Sequence, residues 1–202
     1  MYSVILASGS PRRSEILEQV GIEFSVISSA IEEISTKNIP EEIVLELATM
    51  KAKDVAGQIS EASIIIGADT MVALNGQVMG KPKDEEDAKD MLRKIQGKKH
   101  QVYTGVCVII KEINRERNKK TEQESEKIIS FTEKTEVWVY PMTEEQIEAY
   151  VRTGEPVDKA GAYGIQGKFA AHIEKIEGDY FNIVGFPVAR FYQTLRKEGI
   201  LL

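Results

Sequence analysis

The chain holds one cysteine and two histidines in 202 residues. A single thiol excludes an internal disulfide framework and a cysteine-rich zinc site. Cys107, between Val106 and Val108 in a strand-like run, reads as core packing, a common fate of free cysteine. His100 and His172 are far apart in no ligand pattern and read as structural or exposed. No apolar run is long enough to span a bilayer and no signal-peptide pattern opens the chain, so a cytoplasmic protein with no membrane partner is expected. A Gly-x-x-x-x-Gly-Lys-Ser/Thr loop is missing, which argues against a P-loop NTPase. Positive charge is also short: 26 Lys and Arg stand against 32 Asp and Glu, a net charge of −6. The broad positive field of a nucleic-acid-coating protein is therefore absent, and no nucleic-acid partner is expected. To bind a polyphosphate, such a chain needs a local knot of basic groups or a divalent cation.

What is present is an ordinary globular composition, 42% apolar and 29% charged, long enough for one domain or a closely packed pair of lobes. No internal repeat or linker is evident, and residues 1–202 read as a single domain. Tyr2 to Leu6 reads as a strand, and Ile16, Leu17 and Val20 recur at helical spacing until Gly21. The stretch between, Ala7-Ser8-Gly9-Ser10-Pro11-Arg12-Arg13, is a strand-to-helix turn. Ser10 is placed as N-cap and Pro11 as first helical residue. Two arginines in the first turn oppose the helix dipole, at a cost of roughly 0.3–1 kcal/mol each. Either nearby carboxylates pair with them, or the turn holds an anion such as phosphate through free N–H groups, Ser8, Ser10, Arg12 and Arg13.

A second strand is expected at Phe24 to Ser28, followed by an acidic bend containing Glu33. A helix opens at Pro40 with Ile43, Val44, Leu47 and Met50 as its apolar face, and Lys53 borders that face as a snorkelling side chain or a site group. Ser63 to Thr70 is a β-branched run of the buried kind, ending in Asp69, which suits metal ligation, proton abstraction from water, or a plain turn carboxylate. Asn75-Gly76 marks a hairpin that returns Gly80-Lys81-Pro82 toward Asp69. Asp84 to Gly97 reads as a helix. Gln101 to Ile110 and Ile128 to Tyr140 read as a long hairpin with a charged, solvated tip over residues 111–127. Thr143 opens a capping-box helix. Pro156 to Gly167 is a glycine-rich shaped loop, a structural turn or a seat for a flat ligand whose polar edge Gln166 can read. His172 to Ile176 and Tyr180 to Val184 are expected as a second hairpin, before a final helix over Val188 to Lys197.

Together, Ser8-Gly-Ser-Pro-Arg-Arg13, Gly67-Ala-Asp-Thr70, Gly80-Lys-Pro82, Asp158-Lys-Ala-Gly161-Ala-Tyr-Gly-Ile-Gln166-Gly167 and Asn182-Ile-Val-Gly-Phe-Pro187 closely resemble the Maf family of nucleoside triphosphate pyrophosphatases. The resemblance implies an α/β fold, a strongly twisted mixed sheet flanked by helices with a cleft between two lobes, as in inosine triphosphatases. It implies a homodimer and a house-cleaning activity that cuts nucleoside triphosphates to monophosphate and pyrophosphate with Mg²⁺ or Mn²⁺. The position matching Asp69 is regarded as the proton acceptor, and those matching Arg12, Thr70 and Gln166 as setting base preference. Gln166 resembles the dTTP/UTP group, whereas the group acting on 7-methyl-GTP is acidic there. Because a net-acidic chain must meet a triphosphate's charge locally, Lys53 and Lys81 join Asp69 as the expected catalytic residues, and Asp69 and Glu33 are the expected metal ligands. Ser8, Ser10, Arg12, Arg13, Thr70, Asp158 and Gln166 are expected to hold the substrate. The alternatives are a non-catalytic nucleotide- or nucleic-acid-binding regulator of cell division or septum formation, and a phosphohydrolase that releases orthophosphate.

Overall fold

The computed structural model describes residues 2–115 and 122–200. One seven-stranded sheet runs through the chain in the order β2-β1-β3-β5-β6-β7, with β4 also paired to β3. Strand β1 (Ser3–Leu6) is parallel to both β2 (Ser25–Val26) and β3 (Ser63–Leu74). Parallel neighbours need crossovers, and helices α1 (Pro11–Gln19) and α2 (Pro40–Ala56) supply them. The remaining pairings, with β4 (Gln77–Met79), β5 (Lys99–Arg115), β6 (Glu122–Val139) and β7 (Ile173–Glu177), are antiparallel. Asn75 and Gly76 both take positive φ, +52° and +78°, as the tight β3–β4 turn requires.

One consequence of this register positions the site. β1 covers β3 only from Ser63 to Ile66, and β4 rejoins the same edge only at Val72. Between them Gly67 to Met71 keep an unpaired edge, while β5 pairs along the other edge throughout. Side chains from both faces of β3 reach that gap.

Helices cover the sheet on both faces. α1 and α6 (Val188–Lys197) pack Ile16, Leu17, Phe191 and Leu195 against Leu6, Ile64, Ile66, Val106 and Val108. On the opposite face, α2 lays Ala48, Ala52 and Val55 against Ile65, Cys107 and Ile109. A separate core gathers α3 (Glu85–Ile95) and α4 (Glu144–Val151) around Val72, Val102, Val137 and Phe169. These are the two lobes, sharing β3 and β5. No helix among the described residues is long and apolar enough to cross a membrane.

Two expectations need correction. The charged stretch after Ile110 continues as strand to Arg115 and resumes at Glu122, because ladder pairs such as Lys111 with Glu126 carry it; the remaining tip residues, 116–121, lie outside the described residues. Lys111 is buried, and its ammonium donates to the carbonyls of Ala56 (3.1 Å) and Ile59 (2.7 Å) at the end of α2. The second hairpin is half wrong: β7 forms and pairs with β6, but Tyr180–Val184 is a helix, α5. Asp179 caps it, accepting the Phe181 N–H at 2.8 Å. The buried Asn182 amide donates to Val102 O (3.0 Å) and Thr135 Oγ1 (2.9 Å), pinning that turn to β5 and β6.

Candidate active site

The unpaired edge of β3 opens into a cleft of about 700 Å³ between the lobes. Arg13, in the first turn of α1, is buried at its floor. Its guanidinium donates to Gly185 O (2.9 Å), Ser8 Oγ (2.8 Å) and Thr70 Oγ1 (3.1 Å). All three acceptors are neutral, so these bonds orient the group without cancelling its charge. Ser10 stands at the N-cap, but its hydroxyl makes no capping bond. The Thr70 hydroxyl also lies 2.9 Å from Thr104 Oγ1 and 3.3 Å from Gly185 O, and Thr104 in turn lies 3.0 Å from Asn182 O.

Across the floor, Lys51 Nζ lies 2.6 Å from Asp69 Oδ1 and 2.8 Å from Glu33 Oε1. Close packing brings them together. A Cβ on Gly67 would lie 2.2 Å from Ala48 O, and one on Gly105 2.3 Å from Val44 O. Only glycines there let α2 sit on the sheet closely enough for Lys51 to meet Asp69. Burial pushes the Asp69 carboxyl above its usual range, outweighing the opposite pull of Lys51 and Arg13. Removing water raises the carboxylate's affinity for a proton, which suits a general base.

The far wall is the glycine-rich loop. It is tied to the β4 side by the Gly161 N–H donating to Gly80 O at 3.0 Å. Gly161 takes φ +69° over Val72, where a Cβ would lie 2.9 Å from a Val72 methyl. Behind the loop, His100 Nε2 is 2.7 Å from Tyr163 Oη, and Tyr163 stacks in a tilted arrangement on Phe169. Desolvation lowers the buried His100 to about 4, so it is neutral at physiological pH. At the mouth, Arg12 faces Asp158 at 3.9 Å, and Lys159 donates to Asp158 at 2.7 Å. Gln166 is exposed on the cleft side.

Ser8, Ser10, Arg12, Arg13, Glu33, Asp69, Thr70, Lys81, Asp158 and Gln166 thus line one cleft. Lys53 does not: it is exposed on α2, outside the lining. The buried stripe of α2 includes Val44, Leu47, Ala48, Lys51, Ala52 and Val55, whereas Met50, part of the apolar face expected from sequence, is only half-buried. Two residues on a helix differ by about 200°, which separates Lys51 from Lys53. The signal for Lys51 was a lysine four residues after Leu47 and three after Ala48, inside an apolar repeat. Arg12, Arg13, Lys51, Lys81 and Lys159 outnumber Glu33, Asp69 and Asp158 in the lining, against the net charge of −6 for the whole chain.

The family model for Maf-like protein matches residues 3–198. The chain belongs to the Maf family. It is 52% identical over 200 residues to the dTTP/UTP pyrophosphatase of Lachnoclostridium phytofermentans, covering 99% of this chain and 97% of that one. It is 48% identical over 213 residues to the dTTP/UTP pyrophosphatase of Agathobacter rectalis, covering 99% of each. Among solved structures, the Ham1 protein of Staphylococcus aureus aligns at a TM-score of 0.47 and 14% identity, over 97% of this chain and 99% of that one.

For this Maf-family chain, no group of three or more His, Cys, Asp or Glu among the described residues is arranged to cage a metal. Asp69 and Glu33 nevertheless converge on one cation-sized point, now the Lys51 ammonium. Two carboxylates offering only oxygen donors have the chemistry that a hard divalent cation takes from protein side chains.

Proposed function

We propose that the chain is a nucleoside triphosphate pyrophosphatase acting on dTTP and UTP, and on modified pyrimidine nucleotides of the same shape. The observation that carries this reading is the convergence of Arg13, Lys51, Lys81 and the buried Asp69 on one cleft opposite Gln166. A triphosphate brings about four negative charges, and a net-acidic chain must answer them locally.

Ser8, Ser10, Arg12, Arg13 and the start of α1 bind the phosphate oxygens, with Arg12 exchanging Asp158 for phosphate. Asp69 takes a proton from a water molecule, whose oxygen bonds to the α-phosphorus. The bond from that phosphorus to the bridging oxygen breaks, and its electron pair leaves with pyrophosphate. Lys81 and Lys51 stabilise the departing charge, Lys51 taking the role first expected of Lys53. A divalent ion held by Asp69 and Glu33 would add charge neutralisation at the phosphate oxygens. On the wall, Gln166 offers both a donor and an acceptor to the base. Thr70 reads the polar edge of the base together with Gln166.

A homodimer and a cytoplasmic location accompany this reading; light scattering after size exclusion should give twice the chain mass. The activity is tested on a panel of nucleoside triphosphates with separate detection of pyrophosphate and orthophosphate, with and without EDTA. Pyrophosphate release from dTTP and UTP, abolished by EDTA, is expected. Orthophosphate as the first product would favour cleavage at the γ-phosphate, and no release of either would favour a binding protein.

A further inference from the structure

The segment between β2 and α2, residues 27–39, brings Glu33 to the cleft with Ile27, at its start, half-buried against the α2 core. No residue from Glu23 to Ile39 is buried, and Ile34 and Ile39 are 60% and 55% exposed. Loops of this length without secondary structure are uncommon in compact proteins unless they serve a function. Beyond Ile27, two carboxylates of α2 tie this one down on either side of Glu33. Asp54 Oδ2 accepts from Ser29 Oγ (2.7 Å) and from the Ala30 N–H (3.1 Å). Glu46 accepts from Ser35 Oγ, from the Thr36 N–H (2.9 Å) and from Thr36 Oγ1 (2.8 Å).

The two clamps grip the strap on either side of Glu33, and on the helix they flank Lys51, which Glu33 meets. Eight residues of α-helix put the clamps about 12 Å apart along the axis. Asp54 also sits in the last turn of α2, where the helix dipole disfavours a carboxylate. A residue set against local preference points to a task elsewhere. Glu46 and Asp54 are outside the cleft lining, so neither touches a ligand there.

We propose that Glu46 and Asp54 are positioning residues for the hydrolysis: they clamp the 29–36 strap to α2 so that Glu33 is presented to Lys51 and Asp69. The proposal rests on the reading of the cleft as a pyrophosphatase site. It differs from a general stabilising role in one respect, that the whole effect of the clamps on the reaction passes through Glu33.

A double-mutant cycle tests it. The pair Glu46→Ala with Asp54→Ala, both compatible with helix, should lower kcat for UTP about ten- to a hundredfold, the order expected of a misplaced active-site group. Amide exchange over residues 29–36 should rise selectively, with the sheet unaffected. Glu46→Gln with Asp54→Asn, which keep acceptor oxygens, should recover much of the rate. In a Glu33→Gln background the alanine pair should cost nothing further. Losses that multiply in that background, or unchanged exchange over 29–36, would overturn the proposal. A wild-type protein that releases no pyrophosphate from any nucleotide would overturn the functional reading alone; the clamp is then judged by exchange, where a selective rise supports it and no change overturns it.

Discussion

The floor and the far wall of the cleft are built differently. On the floor, Arg13, Lys51 and Asp69 are buried, each held in place by contacts of 3.1 Å or less. On the wall, Gln166 and Asp158 are exposed, carried by a loop shaped by Gly161 and backed by His100 and Tyr163. A rigid, partly desolvated floor suits charge development on phosphorus, since its dipoles need no rearrangement during reaction. An exposed wall suits recognition, where one side chain can be changed without disturbing the fold. The chemistry should therefore be sensitive to the floor and the base preference to the wall.

The largest expected effect is at the floor. Asp69→Asn keeps an oxygen for Lys51 but loses the proton acceptor, so kcat should fall about a thousandfold, the usual scale for a general base, with the thermal midpoint little changed. Steady-state kinetics with circular dichroism checks both halves. Near-normal turnover would remove Asp69 from its role.

Next is the support of the wall. His100 is buried and neutral, with a folded value of about 4 against an ordinary value of 6.5. Below pH 6.5 the unfolded chain takes up a proton that the folded chain refuses, so stability is complete above 6.5 and is lost as pH falls toward 4. The full difference is about 3 kcal/mol. Denaturant titrations across that window should show a steeper acid loss in wild type than in His100→Gln. Parallel curves would detach His100 from acid sensitivity.

Gly67→Ala strikes the packing under the floor. The new methyl would sit against Ala48 O and Ala52 N, at 2.2 and 2.8 Å. Lifting α2 should cost roughly 1–3 kcal/mol and reduce activity by withdrawing Lys51 from Asp69, measured as a lower midpoint together with a lower kcat. The smallest effect is at the wall itself: Gln166→Glu should change the ratio of kcat/KM values between pyrimidine and purine nucleotides by about tenfold or more, because a mismatched polar edge leaves groups unpaired, while the midpoint stays put. An unaltered base profile would take specificity away from Gln166.

Much of this architecture could be read from residues alone, where local chemistry and tertiary packing agree. Asn75-Gly76, the Thr143 capping box with Gln146, and the helix from Val188 to Lys197 all form where their signals lie. Three things were hidden. The phase of α2 is set by Ala48 and Ala52 packing on Gly67 and by the Val44 backbone packing on Gly105, and alanine carries too little apolar contrast to show which side is buried; for that reason the apolar pattern favours Lys53 over Lys51. Tyr180 to Val184 is a short apolar run, ambiguous between strand and helix by periodicity, and the Asp179 cap together with the buried Asn182 amide decides for helix. The outer parts of β5 and β6 are charged, but the ladder pairs them regardless of propensity. Within the cleft, residue types pointed to the Ser8–Arg13 turn and to Asp69, both of which line it, whereas the clamps on the Glu33 strap exist only as long-range contacts.

The most direct test of the central claim, that water is activated at the floor beside Asp69 and attacks the α-phosphorus, is hydrolysis of UTP in ¹⁸O-labelled water with mass analysis of both products. The account predicts one labelled oxygen in the monophosphate and none in the pyrophosphate. Label in pyrophosphate or orthophosphate would place the attack at another phosphorus and contradict it.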